Sequence, residues 1–208
     1  METNQRLRRI LIAAAMTSIV SGVLQGANPQ LPSTELPTER FVHVCLENVF
    51  DTSSNGGESK TITSHIFAAI GVKLIWVDCH GKRAASRDGT IIVNFSAATP
   101  IDLKPGALGL SFPFEGTHAR VFCDRIRRSA ALSIVGGVRP SMVSILLGHV
   151  VAHEITHLLE GTNVHSNSGI MKASWDASDY DQMARRTLTF TDRDVRLIYA
   201  GLDARSRE

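Results

Sequence analysis

Cysteine is scarce in this chain, with three in 208 residues, and Cys45, Cys79 and Cys123 form no CxxC pair. That spacing argues against a cysteine-rich zinc site. An odd number leaves one thiol over if two oxidise, and the sequence does not say which two; the plain reading is three half-buried strand cysteines. A strong charge of one sign is also missing. The formal net charge is +2, with acids and bases mixed along the chain and no basic stripe, which argues against nucleic acid as a partner. Low complexity and internal repeats are absent too, so one domain is the default, arranged as one core or two lobes.

What is present begins at the N-terminus. Arg6, Arg8 and Arg9 precede an apolar run over 10–24, which gives way to a polar, Pro-containing segment over 25–37. This order reads as a signal peptide, and the run is shorter than the roughly 20 apolar residues that span a bilayer. An uncleaved signal anchor is the alternative, and membrane contact is expected only in that case. Cleavage is expected near Gly26 or Ala27, with Gly22 after Val20 as a second possibility. The chain then divides into a signal peptide (1–27), a linker (28–40) and a folded domain (41–208), exported to the periplasm or medium. No long pro-segment stands between the signal and Phe41, so latency through an N-terminal cysteine is not expected.

Within the domain, 41–49 alternates loosely and reads as a strand, 51–59 as a Gly/Ser/Asn loop, and 64–70 as a short helix stopped by Gly71. Strands are expected at 72–79 and at 90–97, where the run Ile91-Ile92-Val93 suits the inside of a sheet. Residues 107–112 and 118–126 look extended around a turn at 113–116, as edge strands or an edge hairpin. The pattern changes at 141–160, a long apolar helix bounded by Pro140 and Gly161. Beyond it, 162–190 reads as irregular, and Thr191 with Asp194 caps a last helix over 192–199.

The long helix carries the chemistry. His153-Glu154-Ile155-Thr156-His157 is HExxH, and residues four apart on a helix project from one face, so two imidazoles can share one Zn²⁺. Glu154 is the expected catalytic base, acting on a water that the metal acidifies. A catalytic zinc takes three protein ligands, and His165 is the best third, because Gly161 lets the chain turn back toward the helix. A glutamate from a later element is ruled out, since none occurs between Glu160 and Glu208. Asp176, Asp179 and Asp181 are the alternatives; Glu160 is expected to face solvent.

The segment HEITHLLEGTNVHSNSGIM resembles the metzincin metallopeptidases, whose pattern is HExxHxxGxxH followed by a methionine-containing turn. Here the Gly and the third His come one and two residues later than in the commonest form, and Thr156 stands where that form has Gly. The longer loop is similar to that of small exported bacterial proteins of metzincin type. The upstream run GALGLSFPFEGTHARVFCDRI looks like the matrixin segment in which an edge strand, here 107–112, pairs with the substrate. The resemblance implies an α+β catalytic domain. It would hold a mixed twisted sheet, an active-site helix above, and a small irregular lower lobe with a C-terminal helix.

It also implies one catalytic zinc on His153, His157 and His165, Met171 as the turn methionine, and a peptide or protein substrate for a monomeric endopeptidase. Second-zinc and calcium sites of matrixin type are not expected, because the edge strand lacks the histidine and the acidic loop ligands are missing. Trp175 and Tyr180 are candidate walls of the substrate pocket, and His149 a candidate wall or supporting residue. His43, His65, His80 and His118 read as ordinary surface or core histidines. The rival readings are a zinc-binding protein without turnover and an amidase acting on cell-wall or other non-protein amides.

Overall fold

The computed structural model describes residues 39–48, 53–79, 89–132 and 140–207, with backbone alone at 53–55, 140 and 141. Residues 1–38, on which the expected signal peptide and most of the expected linker fall, and His80 lie outside the described residues. In chain order the elements are β1 (Arg40–Glu47), α1 (Ser53–Ala68), β2 (Val72–Trp76), β3 (Ile91–Ser96), β4 (Gly109–Ser111), β5 (His118–Phe122), α2 (Cys123–Leu132), α3 (Pro140–Glu160), α4 (Ala177–Arg185) and α5 (Asp192–Arg205). The α+β class read from the sequence holds.

One mixed sheet runs in the order β2-β1-β3-β5-β4. Its first four strands are parallel and β4 is antiparallel to β5. The Ile91-Ile92-Val93 strand sits inside the sheet, as its apolar run predicts. Ile91, Val93 and Phe95 are buried while Ile92, Asn94 and Ser96 between them are half-buried, the period of two expected of a strand with one face in the core. β4 takes an edge, again as read. β5 lies between β3 and β4, so of the two readings the edge hairpin holds. The parallel neighbours β1 and β2 bring Cys45 and Cys79 together as a disulfide, with Cα atoms 5.3 Å apart, and Cys123 is left as the free thiol. The reading of three half-buried strand cysteines is thereby corrected: one pair is oxidised, and Cys123 opens α2 instead of lying in a strand.

α3 is the central element. Its segment Met142–Glu160 is apolar enough to cross a membrane by composition, but 94% of that window is buried inside the fold, so it is a core helix, apolar nearly all round. α1 lies directly on it. A Cβ at Gly148 would stand 2.8 Å from Cβ of Ile62, and Thr63 Oγ1 donates to Gly148 O at 3.0 Å. This packing corrects the loop expected over 51–59. Gly56, Gly57 and Ser59 are weak helix formers, yet burial against α3 carries the helix back to Ser53.

Two further expectations fail for local reasons. Residues 123–126, read as extended, open α2, because Ile126 and Ala130, four apart, are both buried and the helical period governs. Residues 162–190, read as irregular, contain α4. Asp176 caps it by accepting from Ser178 N at 2.9 Å and Asp179 N at 3.3 Å, and the Asp179 carboxylate returns to Asp176 N at 2.8 Å. That is a capping box with Asp in the position more often held by Glu or Gln. The last helix runs to Arg205 rather than to 199. The Arg205 guanidinium donates to Leu158 O at 3.0 Å and to Gly116 O, tying α5 to the end of α3 and to the β4–β5 turn.

Candidate metal centre

His153 and His157 project from the same side of α3, one turn apart, and the helix ends at Gly161, whose φ of 64° reverses the chain. Only glycine adopts that left-handed conformation without cost. The reversal returns His165 to the helix. The ring nitrogens of His153, His157 and His165 then lie within 4.8 Å of one another, the one such group of His, Cys, Asp and Glu among the described residues.

Two backbone carbonyls set the rings. His153 Nδ1 donates to Ile170 O at 2.8 Å, and His157 Nδ1 donates to Thr162 O at 2.8 Å. With Nδ1 protonated in both, the Nε2 atoms keep their lone pairs, and these atoms face one another at 3.0 Å. Burial pushes His153 down to about 3, helped by His157, and pushes His157 down to about 4, helped by His165. His165 is also lowered, by burial and then by the Lys104 ammonium. All three imidazoles are therefore neutral, the state that ligates a metal. Ligand nitrogens about 2.0–2.1 Å from a tetrahedral zinc stand roughly 3.3 Å apart, close to the observed Nε2 pair. His165 is exposed and has room to complete the set, so the residues present fit a metal ion.

Of the alternative third ligands, Asp176 and Asp179 cap α4 and share Lys172, whose Nζ lies 2.6 Å from each. Asp181 pairs with Arg185 at 2.8 Å. None joins the cluster. Glu160 does not face solvent as expected. It is half-buried, its Oε1 has no partner among the described residues, and its pKa rises to about 7 through burial and the neighbouring Asp194 carboxylate, against the pull of Arg193.

His149 is buried on α3, with Nδ1 bonded to Ile145 O at 2.8 Å, and lines a cavity with Ile62, His65 and Leu188. Trp175 stands edge-on to His153 at 5.5 Å between ring centres, and its Nε1 donates to Gly169 O at 3.4 Å. It therefore braces a cluster imidazole. Tyr180 packs against the core. Met171 is buried in the turn that follows Gly169, directly after the carbonyl that holds His153.

Glu154 is 5% exposed and turns toward the edge strand. A Cβ on Gly109 would stand 2.4 Å from its Oε1 and 2.7 Å from its Cγ and Cδ. Burial raises its pKa to about 8, opposed by a hydrogen bond with the Ser111 side chain, which favours the charged form. The pairing of β4 with β5 decides what else these two residues offer. Leu108 O accepts from Phe122 N, and Phe112 N donates to His118 O. Residues 108, 110 and 112 thus turn their main-chain groups to β5, and the intervening Gly109 and Ser111 turn theirs to the outer edge.

No family model and no curated protein matches this chain. Solved structures do. An archaemetzincin from Methanopyrus kandleri superposes with a TM-score of 0.50 at 15% identity, covering 79% of this chain and 96% of its own. A zinc-dependent peptidase from Methanocorpusculum labreanum (strain Z) superposes with a TM-score of 0.52 at 15% identity, covering 76% and 99%. The fold is archaemetzincin-like.

On this archaemetzincin-like fold, the sequence pattern put His153, His157 and His165 first as ligands and kept Asp176, Asp179 and Asp181 as alternatives, which stay apart from the cluster. It missed the two carbonyls, Ile170 and Thr162, because backbone acceptors leave no mark in a residue pattern. Gly109 and Ser111 were read only as parts of an edge strand. Their period-of-two spacing on that strand is the signal that would have put both on the face toward α3.

Proposed function

We propose that the chain is a zinc-dependent endopeptidase whose metal is held by His153, His157 and His165 and whose general base is Glu154. The observation that carries this reading is the His153–His157 pair. Two neutral rings with their lone pairs aimed at each other across 3.0 Å repel, and a cation between them turns that repulsion into coordination. Three nitrogen ligands leave one of four zinc positions for water or substrate, the pattern of catalytic rather than structural sites. A zinc ion held there supplies Lewis acidity, acidifying a water and polarising a carbonyl.

The chain's own residues do the rest. Glu154, next to His153 on α3, takes the proton of the attacking water and delivers it to the leaving amine. Peptide as substrate is supported by the outer edge of β4, where the main-chain groups of Gly109 and Ser111 are turned outward and an extended chain can add as a further strand. The two similar structures, one of them a zinc-dependent peptidase, point the same way. We further propose export through a signal peptide over 1–27, followed by a 28–40 linker and a monomeric peptidase domain over 41–208. The Cys45–Cys79 disulfide supports this, since such bonds persist in oxidising compartments.

The test is made on the purified chain from residue 28 onward. Metal analysis is expected to give one zinc per chain, and the protein to cut an unfolded polypeptide in a reaction stopped by chelator and restored by zinc. Cleavage that survives complete removal of metal would overturn the proposal.

A further inference from the structure

Glu154 is a long, flexible side chain in a place where its carboxyl must be aimed, and the structure shows what aims it. Gly109 presents bare backbone to Oε1, Cγ and Cδ of Glu154, closer than any side chain would allow. Ser111, two residues on and so on the same face of the strand, favours the charged form of the same carboxyl. The backbone of Gly109 is not left-handed, so no turn demands glycine there. What a Cβ there would meet is the end of the Glu154 side chain, which would have to move aside.

We propose that Gly109 and Ser111 are positioning residues for Glu154: the strand whose outer edge would receive the peptide is also the surface against which the base is held. This rests on the peptidase reading for its catalytic consequence but not for the contact itself. Main-chain pairing by a substrate at Gly109 and Ser111 acts on the same two residues that fix the carboxyl. Docking of the peptide and alignment of the base are therefore one event. A side chain at 109 would push the carboxyl off the strand, and loss of the hydroxyl at 111 would leave it without its polar contact.

Two measurements test this. The first needs no activity: thermal unfolding of the parent, Gly109→Ala, Glu154→Ala and the double variant, all free of metal. In the parent background Gly109→Ala is expected to lower Tm by roughly 3–6 °C, and in the Glu154→Ala background, where the space is free, by less than about 1 °C. Equal losses in both backgrounds would overturn the proposal. The second uses the zinc-loaded enzyme. Ser111→Ala is expected to lower kcat by about 10-fold with KM and zinc content unchanged, and Ser111→Thr, which keeps the hydroxyl, to restore it. A raised KM with unchanged kcat would mean that Ser111 serves only the substrate, and would overturn its positioning role. Coupled Tm values in a protein that cleaves no peptide would uphold the contact and sink the peptidase reading instead.

Discussion

The Nε2 atoms of His153 and His157 face one another at 3.0 Å, each ring held from behind by a backbone carbonyl, Ile170 O for the first and Thr162 O for the second. A helix end and a following turn thus fix two imidazoles before any metal arrives. Such supports, as much as the ligands, set the geometry of a metal site.

The first expectation is a thermodynamic link. Zinc at about 100 times its Kd should stabilise the fold by about 2.7 kcal/mol, raising Tm by roughly 5–10 °C for a domain of this size. Thermal melts with zinc and with chelator check this. His157→Ala should abolish the difference.

Met171 is buried, 1% exposed, in the turn whose Ile170 carbonyl holds His153. Met171→Ala should cost about 2–5 kcal/mol, the range for emptying a large buried side chain, measured by urea denaturation. Zinc content should be kept, because no ligand is removed.

Glu160 gives a pH dependence with a definite sign. Its pKa is 4.5 in an ordinary setting and about 7 in the fold, so the fold favours the protonated form. Stability should therefore fall as pH rises from about 4.5 to about 7 and stay low above that. The group is half open to water, so the loss should be discounted to about 1 kcal/mol. Glu160→Gln, which cannot ionise, should be more stable than the parent at pH 8 and equal to it near pH 4, as judged by denaturation at the two pH values.

The Cys45–Cys79 bond closes a loop with a sequence separation of 34. By chain entropy, a loop of that length contributes about 4 kcal/mol. Cys45→Ser should lower stability by about that much, and reduction of the parent should do the same, while thiol titration of the unreduced, unfolded parent should count one free cysteine, Cys123.

What could be read from the sequence follows the range of each signal. HExxH, the long apolar α3 and the stop at Gly161 are local patterns with a fixed period, and all three stand in the structure. His165 was reachable because Gly161 announces a reversal and no glutamate competes. The start of α1 was not readable, since Gly56 and Gly57 speak for a loop and only the distant Gly148 and Thr63 contact outweighs them. The Cys45–Cys79 pairing was hidden for a like reason: it depends on β1 and β2 being parallel neighbours, which spacing alone does not state. α4 was missed because an aspartate at the third position of its cap is a weaker mark than the usual glutamate. The hold of Gly109 and Ser111 on Glu154 joins an edge strand to a helix some forty residues away, beyond any local pattern.

Neighbouring residues on α3 are assigned separate tasks, and one comparison tests the assignment. Glu154→Gln is nearly isosteric and removes only the carboxylate, so zinc content and Tm should match the parent while peptide cleavage falls by about 10²- to 10⁴-fold. His157→Ala should lose zinc and cleavage together. Metal analysis and a cleavage assay on both variants beside the parent give the answer, and a Glu154→Gln protein that cleaves as fast as the parent would contradict the assignment.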